Sequence, residues 1–384
     1  MEQAMEALLE RNRLQFENDT RNAGHNLWPA QRWLGEAIAP LTKQQGLIRL
    51  AVECDARVSE LRNRLDDRAH YADAGSDRIA LARRMRPDVL ELMARRNAAA
   101  RGMGYADYPA AALAADGMTA EFLDGQLEAF LDCHLAAVAR RARAVNVDME
   151  RWFRWLYGRY PLARRMEPLP LLSAFAGKLG MTHVLERLEL CEEPGFGCAG
   201  MIAPKRIWLQ LEEIVDVRSW HTLFHEFGHA CLYALLPEGR LPWLSQGVDE
   251  LIAVLFENAG IRLMGDEALR EHALETVRAD YVRAAVSARF ELALWRDMTR
   301  PEALYEEQYA ALGVRVWPEA WALDSFRSID CMTIGTYALG QRLAGALPAR
   351  TDWPAVLRVA VRAAAEGAGV MDLFEKVREA GGIQ

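Results

Sequence analysis

No apolar run in this sequence approaches the roughly 20 residues needed to span a bilayer as a helix, which argues against a membrane protein of that kind. Cysteine forms no pattern. The six residues (Cys54, Cys133, Cys191, Cys198, Cys231 and Cys331) are scattered with no pair at a metal-binding spacing. That argues against a zinc ribbon or a disulfide scaffold and fits a reduced compartment. Positive charge is not in excess: 46 Lys and Arg stand against 54 Asp and Glu, for a net charge of −8, so general nucleic-acid binding is not expected. Arginines do cluster, at Arg83, Arg84 and Arg86, at Arg95, Arg96 and Arg101, and at Arg140, Arg141 and Arg143. They interleave with Ala, Leu and Met at helical spacing and read as solvated helix faces. Internal repeats, low-complexity linkers and Gly/Ser hinges are absent as well, which favours one continuous fold. The opening MEQAMEALLERNRLQFEND is charged and amphipathic rather than built like a secretory signal, and the expected setting is cytoplasmic.

Histidine is scarce, with eight in 384 residues, which makes the stretch HTLFHEFGHACLYALL informative. His225 and His229 stand four apart with Glu226 between them. On a helix that spacing aims both imidazoles at one point. A zinc ion there would leave room for a water whose proton Glu226 can take. Asp216 and Ser219 supply start signals while Pro237 and Gly239 supply stops, predicting a helix near 217–236. Leu223, Phe224, Phe227, Ala230, Leu232, Leu235 and Leu236 cover nearly every direction around its axis, so it belongs in a core. Two histidines and a carboxylate in that setting need partners, which a zinc ion supplies. His221, one turn earlier, either holds a ligand from behind or simply starts the helix.

A third ligand should come from a neighbouring element. Ser245 followed by QGVDELIAVLFENAG predicts a second helix ending near Gly260. Val248, Leu251, Ile252, Leu255 and Phe256 form one apolar stripe. The opposite stripe carries Glu250, Ala253, Val254, Glu257 and Ile261, so its two glutamates do not sit on a solvated face. Glu250 is assigned as the third zinc ligand, reached after a turn through Pro237, Gly239 and Pro242. Glu257 suits either a carboxylate that orients a histidine or an ordinary salt-bridge partner.

The run RIWLQLEEIVDVRSWHTLFHEFGHA followed by VDELIAVLFEN resembles the thimet oligopeptidase and oligoendopeptidase F family of zinc metallopeptidases. ARRNAAARGMGYADYPAAAL, ARFELALWRD with LYEEQYAALG, and TYALGQRLAG add weaker similarity in the family's order. The resemblance implies a mainly α, two-lobed helical metallopeptidase fold with a deep cleft, acting on short peptides. It also implies one zinc on His225, His229 and Glu250. Departures are visible. Family members are usually longer, and where they tend to carry a serine three residues after the third ligand this chain has Ala253. The family's late helix presents a histidine and several tyrosines; here SFRSIDCMTIGTYALGQ offers Tyr337, with Ser325, Asp330 and Ile334 nearby, and no histidine follows His272. Tyr337 is the first candidate donor to an oxyanion and Arg327 the second. Each has a plainer reading, as a core tyrosine and a surface charge.

Upstream, APKRIWLQLEE reads as a strand, with Ile207, Leu209 and Leu211 alternating against Trp208 and Gln210. It is the small β-element expected beside the zinc helix, and an edge on which an extended peptide could pair, with Trp208 near the substrate. A structural hairpin is the plainer alternative. Strands are expected only near 195–211. Residues 1–190 are assigned to an N-terminal helical lobe and 191–384 to the catalytic lobe. The expected activity is zinc-dependent hydrolysis of peptide bonds. Narrower alternatives are a tailoring enzyme for one peptide-like metabolite and a scaffold that keeps the zinc site without turnover.

Overall fold

The computed structural model describes residues 75–102, 104–144, 160–191, 199–203, 206–211, 213–237, 244–324, 332–347 and 352–383. In chain order its helices and strands begin with α1 (Gly75–Gly102), α2 (Tyr108–Ala115) and α3 (Ala120–Ala144). Then come β1 (Pro161–Met166), α4 (Pro168–Leu179), a short α5 (Thr182–Leu185) and strands β2 (Leu188–Cys191), β3 (Ala199–Ala203), β4 (Arg206–Gln210) and β5 (Ile214–Asp216). The remainder is helical: α6 (Val217–Leu235), α7 (Gln246–Ile261), α8 (Glu267–Arg296), α9 (Pro301–Leu312), a 3-10 turn at Pro318–Leu323, α10 (Thr333–Ala346), α11 (Trp353–Ala365) and α12 (Val370–Ala380). No helix among the described residues is long and apolar enough to cross a membrane.

The chain forms two compact units. Among the described residues, one comprises 160–277 and 340–383, and the other 75–144 and 278–339. The division falls inside α8, between Val277 and Arg278, and inside α10, between Leu339 and Gly340. In the second unit α1 packs on α2 and on the 3-10 turn, and α9 on α3. Phe130, Phe290, Tyr309 and Trp321 are fully buried there. Two arginines of the predicted solvated face meet acids: Arg83 pairs with Glu319 at 2.6 Å and Arg86 with Glu302 at 2.7 Å.

The first unit is built around α6 and α7, which are each other's main neighbours, with α11 against both. α6 starts where β5 delivers Asp216 in an extended conformation. The Asp216 carboxylate accepts from the Ser219 backbone N–H, and the Ser219 hydroxyl accepts in return from the Asp216 N–H, a reciprocal cap. The helix ends at Leu235 because Leu236, just before Pro237, turns extended. α7 is capped by the Ser245 hydroxyl on the Val248 N–H, and residues 247–261 are all buried. Glycines set how closely the two helices approach: a Cβ on Gly228 would lie 2.9 Å from the Ala253 Cα, and Gly260 faces the Phe224 ring. Phe175 of α4 closes this core against Phe224, Phe227 and Phe256.

Strands extend beyond the stretch expected from sequence. β1 pairs antiparallel with β5, and β2 with β4 in parallel. The expectation of an edge at RIWLQ is corrected: β4 is the central strand of the order β2-β4-β3. Its backbone groups are engaged on both sides, so no peptide can pair there. Trp208 lies opposite Glu189 on one side and Gly200 on the other, and is 6% exposed.

Candidate metal centre

Four side chains recur every fourth residue along one face of α6: His221, His225, His229 and Tyr233. The opposite face is apolar and locks the helix in place, with Trp220 also donating its indole N–H to the Gly260 carbonyl at 2.9 Å. α7 lies across the polar face and presents carboxylates from both ends. From its first turns Glu250 places Oε2 3.4 Å from His225 Nε2 and 3.7 Å from His229 Nε2. Its other oxygen accepts from Gln246 Nε2 at 3.1 Å. His225, His229 and Glu250 are the one trio of His, Cys, Asp or Glu among the described residues able to hold a metal, with ligand atoms within 4.8 Å of one another.

The donor set fits a zinc ion. Two imidazole Nε2 atoms and one carboxylate oxygen converge from two buried helices, the kind and number of protein donors that would hold a zinc ion with a position to spare. The remaining ring nitrogens point the other way and meet carboxylates. His229 Nδ1 lies 2.6 Å from Asp249 Oδ1 and His225 Nδ1 lies 3.7 Å from Glu257 Oε2. The hydrogen bond to Asp249 fixes the tautomer of His229 and keeps its Nε2 free for a metal.

Glu226 sits one residue after His225. Burial raises its pKa above the ordinary carboxylate value, opposed by the charges of His229 and His225 and by a backbone hydrogen bond from Ala199 of β3. A carboxylate so raised is a stronger base. For His229 burial works downward, but the Asp249 charge and hydrogen bond outweigh it and raise the pKa to about 9. Burial likewise opposes, and the nearby carboxylates of Glu250 and Glu257 overcome it, holding His225 well above its usual value. Glu257 is pulled down to about 2 against its own burial by His221 and His225. The metal-free site therefore holds protons that an incoming cation must displace.

Glu257 reaches both His221, at 2.8 Å, and His225. Tyr337 belongs to the second unit, half-buried on α10, with its ring stacked on Tyr281 at 5.8 Å between centroids. Arg327 lies outside the described residues. Two members of the cluster escaped the sequence reading: Asp249, and Tyr233, whose hydroxyl donates to Asp249 Oδ2 at 2.6 Å. Asp249 looks like an ordinary acid in a first helical turn, and Tyr233 like one more bulky residue of a core helix. The signal that could have found Tyr233 is the continuation of the four-residue repeat past His229.

No protein-family model matches the chain, and no curated protein sequence does. Solved structures do. The chain is similar to Trypanosoma cruzi metallocarboxypeptidase 1, with a TM-score of 0.55 and 13% identity over 99% of this chain and 95% of that one. It is similar to PZ peptidase A, solved with an inhibitor, with a TM-score of 0.55 and 13% identity over 91% and 76%. The M32 carboxypeptidase of Deinococcus radiodurans R1 gives 0.50 and 15% identity over 99% and 96%. At such identities the likeness is one of fold. The fold is a mainly α metallopeptidase fold, and within it these neighbours do not single out the thimet and oligoendopeptidase F group.

Proposed function

We propose that this protein hydrolyses peptide bonds of short peptides at one zinc ion held by His225, His229 and Glu250. The observation that carries the reading is the convergence of their three ligand atoms from α6 and α7, with Glu226 one residue from a ligand, in a chain of metallopeptidase fold. A zinc ion there would supply Lewis acidity toward the scissile carbonyl and lower the pKa of a water beside it. Glu226, with its raised pKa, accepts the proton of the attacking water and returns it to the departing amine. Asp249 holds His229 in the tautomer that leaves Nε2 unprotonated, and Glu257 places a carboxylate beside His225 Nδ1. Tyr337, with Arg327 as the alternative, is the residue to which the family resemblance gives the hydrogen bond to the oxyanion. The setting assigned is cytoplasmic, on the scattered cysteine pattern of the sequence.

Two of the structural neighbours are carboxypeptidases, which favours a second form of the same chemistry: removal of the last residue rather than internal cleavage. A digest of mixed short peptides, each with a free or an amidated C-terminus and with Glu226→Gln as control, separates the forms. Internal fragments from both sets support the thimet-like oligopeptidase. Loss of single C-terminal residues from the free set alone supports the carboxypeptidase. Cleavage of one peptide-like metabolite and nothing else would indicate the tailoring enzyme. No cleavage by a zinc-loaded protein would leave the scaffold.

A further inference from the structure

The polar stripe of α6 continues past the metal-facing imidazoles at both ends. On one side His221 meets Glu257, and Glu257 meets His225. On the other, Tyr233 donates to Asp249 Oδ2 at 2.6 Å while Asp249 Oδ1 faces His229 Nδ1 at 2.6 Å. Asp249 is thus held between two α6 side chains one helical turn apart. Its 5% exposure and the 7% exposure of Tyr233 and His229 leave little room for water to substitute. A buried carboxylate bonded on both oxygens cannot rotate, so the direction from which it grips His229 is fixed.

We propose that Asp249 and Tyr233 are positioning residues for the metal: Tyr233 orients Asp249, and Asp249 aims His229 Nε2 at the point shared with His225 and Glu250. This rests on the metallopeptidase reading above. The chemistry is directional. A carboxylate at Nδ1 requires the proton there, which leaves the Nε2 lone pair for the cation. Without the phenol hydroxyl, Asp249 keeps one bond and gains a torsional freedom that passes to the imidazole. Loss of an outer partner of this kind costs about 10–100-fold in metal affinity. Asp249 carries the larger share because it touches the ligand, and Tyr233 acts only through it.

The test measures zinc affinity by competition with a chromophoric chelator for the native chain, Tyr233→Phe, Asp249→Asn and the double variant. The visible spectrum of each Co(II)-substituted form is recorded alongside. Tyr233→Phe changes no volume beyond one oxygen, and circular dichroism of the metal-free forms verifies the fold. The expected results are weaker zinc binding in both single variants, a shifted cobalt spectrum, and no additional loss from Tyr233→Phe in the Asp249→Asn background. Unchanged affinity and spectrum in Tyr233→Phe would overturn the proposal, as would additive losses. If the native chain takes up no metal, the metallopeptidase reading itself fails, a different outcome from a native chain that binds zinc no better than its variants.

Discussion

At the scale of single residues, the roles separate by what each atom faces. Glu226 holds no metal-facing position in the trio, so Glu226→Gln is expected to keep zinc while turnover falls by about 10²–10⁴-fold or more, read by metal analysis beside a peptide assay. Full activity in that variant would end the mechanism. The imidazoles make a pH prediction. His229 has its pKa raised from 6.5 to about 9 in the folded metal-free site. A raised group contributes stability in full below its unfolded value, and that contribution is lost as pH rises through the folded value. The metal-free protein should therefore melt at progressively lower temperature across the window from 6.5 to 9. The zinc-loaded protein, whose imidazoles are already deprotonated, should lack that trend. Glu257, lowered from 4.5 to about 2, acts with the opposite sign: its contribution is present above 4.5 and lost toward 2, outside the alkaline window. Melting curves of chelator-treated and zinc-loaded protein across both ranges check the signs.

At the scale of elements, the geometry depends on how α6 starts and how near α7 approaches. Removing the cap with Asp216→Ala should cost about 1 kcal/mol of stability, measured by denaturant unfolding. Gly228→Ala places a methyl 2.9 Å from the Ala253 backbone. It is expected to force the helices apart at about 1–3 kcal/mol and to weaken zinc binding, because Glu250 lies one turn from Ala253. An unaffected affinity would mean that the spacing of the helices does not set the ligand geometry. The two helices were legible in the sequence because their ends are local chemistry: Asp216, Ser219 and Pro237 bound one and Ser245 starts the other. The centrality of β4 was not, since its parallel partner β2 is separated from it by β3 and no local pattern encodes a parallel neighbour. β1 escaped because Pro161–Met166 is mostly exposed and lacks apolar alternation. Asp249 and Tyr233 escaped because their pairing is tertiary: each looks ordinary on its own helix.

At the scale of the whole molecule, the metal trio is carried by one unit, from α6 and α7, and both helices are packed against α11 of the chain's last segment. A cation held by two core helices stabilises the folded chain by mass action, so zinc should raise the melting temperature with added metal. The central claim is that His225, His229 and Glu250 together bind one catalytic cation. It is tested most directly by equilibrium dialysis against zinc, comparing metal per chain in the native protein and in Glu250→Ala with its fold verified by circular dichroism. The account predicts one tightly held ion in the native chain and its loss in the variant; equal zinc in both would contradict it.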